Sequence, residues 1–461
     1  GTTTGVSQSS TDFITYCFTS KPGFSKVGSY TGARPNDVLV QTGFQPAFVM
    51  IKASNATDDW FIVDDKREGT SAPTKSLLAN SLAIESSFTG VEFLTNGFRL
   101  VGSANSGGTN NSGTTFIYLA FAADGSTATP SLANSFATEL YTGTASTQSI
   151  TGIGFKPYFT WIKNRLVGGT SHNLFTPLYG QTGYYLKSNS TDALSPTSEI
   201  GAYGISAFNS DGFTLVGPGG WTNANGNSYV SWNWKTGGTP SINTDGTITS
   251  VVSANEAAGF SIISYSGNST AGATIGHGLS SKPELIFIKI LSTTAGWMAW
   301  CNEKSTELGY LSNNDAFDAS RYSWALNSTQ PTATNITLGN ALSVNTANNY
   351  IAYAWHSISG YSKVGTYTGT GSIGITVTTG FQPTFLIVKA VDGVGGWFIF
   401  DNKRNTSNPR NAFIEASEAY GEAAISSISF DFEANGFEVN STNIQLNTNG
   451  DAYIYLAIKE N

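Results

Sequence analysis

The sequence predicts an all-β protein made of tandem antiparallel β-sandwich repeats, four units with a remnant strand ahead of them. Three observations predict it. A Gly-Phe-x-Pro turn leads into an apolar strand ending in Ile-Lys or Val-Lys, and this anchor recurs along the chain. Asn-Gly or Asp-Gly hairpins follow the anchors, supplying the positive φ angles that a tight two-residue turn needs. Finally, 51 glycines with dense Ser, Thr and Asn, against 12% charged residues, favour strands and turns over helices.

In chain order, residues 13–18 (Phe-Ile-Thr-Tyr-Cys-Phe) have the pattern of a closing strand with no unit before it, so 1–20 reads as the end of an upstream repeat. The chain starts at Gly1 without Met or a signal-peptide pattern, which reads as a piece of a longer product. The first unit, 21–122, has an opening strand from Gly23 to Gly32 that is nearly copied from Gly360 to Gly369 in the last unit, 358–461. Weaker openings run from Phe136 and Phe260, placing the middle units at 136–236 and 257–357. Anchors follow: Pro46 to Lys52, Pro157 to Lys163, Pro283 to Lys289 and Pro383 to Lys389 keep one offset, and Trp60, Trp297 and Trp397 stand eight residues past the lysine. Both pleat faces of Trp60-Phe61-Ile62-Val63 and Trp397-Phe398-Ile399-Phe400 are apolar, which predicts an inner strand with one face on the core and the other under a loop or neighbouring unit. Hairpins then run Phe93 to Phe98, Phe208 to Phe213 and Phe432 to Phe437, and aromatic-rich closing strands end every unit. Residues 123–135 form a turn-rich connector, and 237–256 contains a further hairpin around Asn243 to Ile248. Only 77–87 and 411–422 have helix-friendly composition. As separate modules in a rod, the first three units should stay folded in a chain cut after Ile358.

Composition excludes several functions. The balance of 23 basic and 31 acidic residues, net −8, leaves no basic stripe for a phosphate backbone, so no nucleic-acid partner is expected. No run of 18 apolar residues occurs, so no membrane insertion is expected. Cys17 and Cys301 are too few and too far apart for a disulfide framework or a zinc site. His172, His277 and His356 have no ligand or triad spacing, and no metal or cofactor is expected. Asp64-Asp65-Lys66-Arg67 invites comparison with the two acids of a polysaccharide-cutting enzyme. The matching stretches, Asp401-Asn402-Lys403-Arg404 and Cys301-Asn302-Glu303-Lys304, do not keep the pair, and adjacent strand residues face opposite ways. The expected role there is strand-end hydrogen bonding, with no catalytic residue and no enzymatic activity.

Aromatics outside the shared pattern are the better ligand candidates. The second unit puts Ser171-His172-Asn173-Leu174-Phe175 where the others have the Trp strand, and adds Tyr179, Tyr184, Tyr185 and Trp221 in turn-rich segments. Rings beside Asn and Ser on loops are how uncharged glycans are commonly held, although loop packing or a subunit contact would use the same residues.

The stretch Gly259-Phe260-Ser261-Ile262-Ile263-Ser264-Tyr265-Ser266-Gly267 running on to Leu279 resembles an uncharacterised repeat family of marine bacteriophage virion proteins, as do the Gly-Phe-Gln-Pro, Asp-x-Lys-Arg and Asn-Gly-Phe series of the outer units. The resemblance covers nearly the whole chain. It implies a tail fibre or similar virion appendage of concanavalin-A-like sandwiches, located on the virion surface outside cells. Its partners would be other virion proteins, a host surface glycan and further copies of itself, a trimer being typical of fibres. A scaffold that binds only virion subunits and a polysaccharide depolymerase are the alternatives. The second unit departs from the pattern in its Trp, the third in its Gly-Phe anchor and Asn-Gly hairpin.

Overall fold

A computed structural model describes residues 16–20, 24–68, 72–94, 97–102, 108–122, 134–180, 184–195 and 203–460. The chain divides into two compact units, an N-terminal body of 1–129 and a C-terminal body of 130–461. All four repeats share one plan. In the N-terminal body the larger sheet sets the opening strand Ser25–Thr31 beside the closing strand Thr115–Ala122, then the anchor strand Pro46–Ala53, the Trp-led strand Phe61–Asp64, the strand Lys75–Leu78 and the short edge strand Ser86–Ser87. The smaller sheet pairs Val38–Gln41 with the hairpin Gly97–Leu100 and Val91–Leu94. In the C-terminal body the order opening, closing, anchor, Trp-position strand recurs in all three larger sheets, and all neighbours are antiparallel. The hairpins pair Phe93 with Phe98, Phe208 with Phe213 and Phe432 with Phe437, as their spacing predicts. Their glycines answer a second need: a Cβ on Gly97, Gly212 or Gly436 would lie 2.0 Å from the carbonyl oxygen of Val40, Ile150 or Val377, so only glycine lets the hairpin press against the short strand.

A buried clasp repeats four times. Tyr30, Tyr141, Tyr265 and Tyr367 on the opening strands stack on Phe116, Tyr229, Tyr350 and Tyr453 of the closing strands, with centroids 4.9–5.2 Å apart. Each phenol donates to the carbonyl just ahead of a buried asparagine, at Thr109, Thr222, Val344 and Leu446. The asparagines Asn110, Asn223, Asn345 and Asn447 accept in turn from the backbone N–H groups of Ala33, Thr144, Asn268 and Thr370 at 2.7–3.0 Å. These bonds satisfy turn groups that burial would otherwise leave unpaired.

The third repeat keeps the clasp but rebuilds its small sheet. With no Asn-Gly hairpin, Thr274–Gly276 pairs with Asn335–Thr337 and on its other side meets only a parallel bridge from Ile248, and the helix Ser320–Leu326 contributes Tyr322, Ala325 and Leu326 to the core that the hairpin would cover. The expected extra hairpin forms from Ser241–Asn243 and Ser250–Asn255 and extends this repeat's larger sheet, so the third unit begins near 241 and not at 257.

Within the C-terminal body the three repeats are not beads on a rod. Their larger sheets turn their outer faces toward one another and share one core, which contains Trp232 and Phe159, Tyr353 and Phe287, and Phe385 and Leu456. Three equivalent sets of contacts close a ring. Between the third and second repeats, Trp297 Nε1 donates to the Lys187 carbonyl (2.8 Å), Lys289 Nζ to the Thr191 carbonyl (3.1 Å), and Leu194 N to the Leu291 carbonyl (2.9 Å). Between the fourth and third, Trp397 Nε1 donates to Tyr310 (2.9 Å), Lys389 Nζ to Asp315 (2.8 Å), and Phe317 N to Val391 (2.8 Å), all at backbone carbonyls. Between the second and fourth, His172 Nε2 donates to Glu415 (2.9 Å), Lys163 Nζ to Ala419 (3.3 Å), and Glu422 N to Arg165 (2.8 Å), again at carbonyls. His172 therefore occupies the Trp position.

Other sequence expectations need correction. Neither 77–87 nor 411–422 is helical: the strand Lys75–Leu78 runs into the first and Ala412–Glu415 lies in the second, because pairing with the Trp-led strand outweighs a weak local propensity. Of the remnant strand at 13–18, the part before Tyr16 lies outside the described residues, and Tyr16–Phe18 is not in a strand. The Trp-led strands lie inside their sheets as predicted, but the expected cover on both faces holds only for Trp397–Asp401, all buried, while Phe61–Asp64 buries Val63 alone and Trp60 is 37% exposed.

Candidate functional site

The second repeat brings only part of its aromatic set together. Trp221, 38% exposed, lies on the loop after Gly219-Gly220; that loop is fixed because Asn164 Nδ2 and Tyr229 Oη both donate to the Gly220 carbonyl at 3.0 Å. Tyr185 sits behind it with ring centroids 5.9 Å apart, and Lys187 Nζ stands 5.6 Å from the indole centroid while pairing with Asp192 at 3.0 Å. Tyr185 is 3% exposed and backs the indole instead of offering its own face. Tyr179 is elsewhere: its phenol meets the Tyr353 phenol at 2.9 Å against the shared core, a packing role. Tyr184 is half-buried, on the chain leading into Tyr185. The arrangement is thus one exposed indole with a cation at its rim, a shelf for a flat apolar face such as that of a sugar ring.

A cleft of about 510 Å³ opens in the fourth repeat between Ser362–Thr368 and Ile375–Thr378. Thr366, Thr368, Thr376, Thr378 and Lys363 line it, with Tyr455 at its base and Glu303 from the third repeat at its rim. Gly365 makes room for the phenol, since a Cβ there would lie 2.5 Å from Tyr455 Oη. Burial pushes that phenol up to about 12, with the Glu303 charge adding, so it stays protonated and able to donate at neutral pH.

The acids of the Asp-x-Lys-Arg stretch are occupied by structure. Asp401 and Arg404 have fully buried side chains and pair at 2.6 Å; the same carboxylate accepts from Trp232 Nε1 at 3.1 Å and from the Lys403 and Arg404 backbone. Asp64 and Arg67 repeat the pair at 2.6 Å with a fifth to a quarter of each side chain exposed. Among the described residues the strongest perturbation of a carboxyl toward neutrality is at Glu415, pushed up to about 7 by burial with Glu418 adding, at the end of the strand Ala412–Glu415 within the ring contacts. His172 is held neutral by burial, its Nδ1 accepting from Trp161 Nε1 at 2.8 Å. Among the described residues no group of three or more His, Cys, Asp or Glu could hold a metal ion, and no helix is long and apolar enough to cross a membrane.

Sequence reasoning missed the buried asparagines and the roles of Lys163, Lys289 and Lys389. The signal was present: an asparagine stands five or six residues ahead of each closing strand's first aromatic, and the anchor lysine is fixed in all four repeats. Fold and site together define a repetitive β-sandwich protein whose second repeat presents one exposed indole backed by a buried tyrosine. The chain belongs to the family described as domain of unknown function DUF7483, which matches residues 1–124 and 131–461. No curated protein matches it.

Proposed function

We propose that the chain is a structural and adhesive component of a bacteriophage virion, a tail-fibre-like appendage on the virion surface that meets a glycan of the host envelope. The observation that carries this reading is how the chemically capable groups are used. The buried lysines donate to backbone carbonyls, the buried Asp401 is consumed by Arg404 and Trp232, and the ring histidine stands in for a tryptophan. What the second repeat leaves toward solvent from its aromatic set is the indole of Trp221 seated on Tyr185, in a chain with only 12% charged residues. Binding by stacking and hydroxyl contacts is the chemistry such a surface supports.

The test is retention of the full chain on marine bacterial cells and on their extracted envelope polysaccharides. Retention that falls at least tenfold in Trp221→Ala, with unchanged thermal unfolding, supports the reading. Release of oligosaccharide would replace it with a depolymerase. Absence of retention on any cell or polysaccharide would replace it with a scaffold that binds only other virion subunits.

A further inference from the structure

The N-terminal body carries the same outer face that the three C-terminal repeats bury against one another, and in it that face is largely exposed, with Phe18 of the segment ahead of it packed on Phe121 among the described residues. A constant numbering offset relates the first and last repeats through this region: Val27, Phe48, Trp60, Leu77, Ile117 and Leu119 match Val364, Phe385, Trp397, Ile414, Ile454 and Leu456. All six members of the last repeat are buried in the shared core. None of the six in the first repeat is buried: Val27, Trp60, Leu77 and Ile117 are 44%, 37%, 37% and 41% exposed, and Phe48 and Leu119 are half-buried. Strand order and register are the same in the two repeats. An apolar surface kept apolar while it stays this exposed marks an interface.

The C-terminal ring also says what covers it. Each repeat there donates its Trp-position side chain and anchor lysine to one neighbour and receives the same contacts from the other, so the set closes at three. The first repeat holds the complete donor and acceptor set. Trp60 Nε1 meets no acceptor among the described residues, Lys52 Nζ turns back to the Ala53 carbonyl, and Leu82, at the position of Ala419, is fully exposed.

We propose that three copies of this chain associate through their N-terminal repeats into a closed cyclic trimer that reproduces between chains the ring the C-terminal repeats make within one. In it, Trp60 Nε1 and Lys52 Nζ donate to the Leu78 and Leu82 carbonyls of the next copy, and Glu85 N donates to the Ser54 carbonyl of the copy before it. Such a heterologous contact closes because its rotation is the one already realised by the internal ring. The proposal goes beyond the adhesive reading and stands whether or not a glycan is bound.

The experiment is the mass of the full chain by sedimentation and native mass spectrometry across a dilution series. A species of three times 48.6 kDa is expected. Ile117→Lys and, as a second variant, Trp60→Ala should each raise the concentration for half-assembly at least 100-fold while circular dichroism stays unchanged. Leu39→Lys, an exposed residue of the smaller sheet, should leave the trimer intact. A chain that is monomeric or dimeric at every concentration overturns the proposal. So does a trimer that survives both face variants, or one that Leu39→Lys dissolves equally.

Discussion

Replacing Trp397 by alanine tests whether the three C-terminal repeats form one cooperative body. The indole is 2% exposed, its ring lies 5.3 Å from Phe287 and 6.5 Å from Phe317 across the boundary between repeats, and its N–H serves the Tyr310 carbonyl. Truncating a large buried aromatic costs about 3–5 kcal/mol. Orphaning a buried carbonyl adds about 1–3 kcal/mol, and because the two losses overlap the expected total is about 4–6 kcal/mol. That is a large part of the roughly 5–15 kcal/mol that holds a domain folded. Guanidinium unfolding gives the magnitude, and hydrogen exchange by mass spectrometry shows where it acts. Protection should fall together in 134–357 and 358–460, with Trp397→Phe intermediate because it keeps most of the ring. The same logic reverses the expectation of independent modules: a chain cut after Ile358 should lose the fold of the second and third repeats while 24–122 stays protected. A loss under about 1 kcal/mol, or exchange rising only beyond 358, would refute the shared core.

Three other perturbations discriminate further. Arg404→Met should cost about 3–5 kcal/mol by leaving Asp401 buried and unpaired, while Arg67→Met at the partly exposed equivalent should cost about 1 kcal/mol or less; equal losses in urea titrations would contradict the difference in burial. Glu415 is raised from 4.5 to about 7, so its contribution is most favourable below pH 4.5 and is lost as pH rises through 7. Glu415→Gln should therefore stabilise at pH 8 by about 1–2 kcal/mol after solvent screening, and leave stability at pH 4 unchanged, as differential scanning calorimetry would show. Cys17 is exposed, whereas Cys301 is buried with its thiol pushed up to about 12 by burial, so iodoacetamide at pH 8 should label one cysteine in the native chain and two in denaturant.

What could be read from the residues was what repeats along one dimension. Constant offsets from Pro46 to Lys52 and from Phe93 to Phe98 mark strand lengths and turns directly, because a strand's side-chain period and a two-residue hairpin are local properties. The candidate ligand residues were harder. Tyr179, Tyr184, Tyr185 and Trp221 look alike in sequence, and only the packing of the second repeat turns Tyr185 into a support and leaves Trp221 open. The single-helix substitution in the third repeat was not legible, since seven helical residues compensating a missing hairpin leave no periodic trace.

Trp60 and Trp397 put the division most plainly. Each stands eight residues past an anchor lysine and leads the same apolar strand, so the chain by itself determined that both would lead an inner strand of a larger sheet with two apolar faces. Which face the tryptophan takes, and whether that face meets water or a neighbour, was decided by the tertiary structure. Burial of an outer face depends on a second surface of matching shape arriving from a distant segment, and in the C-terminal body three such surfaces close on one another.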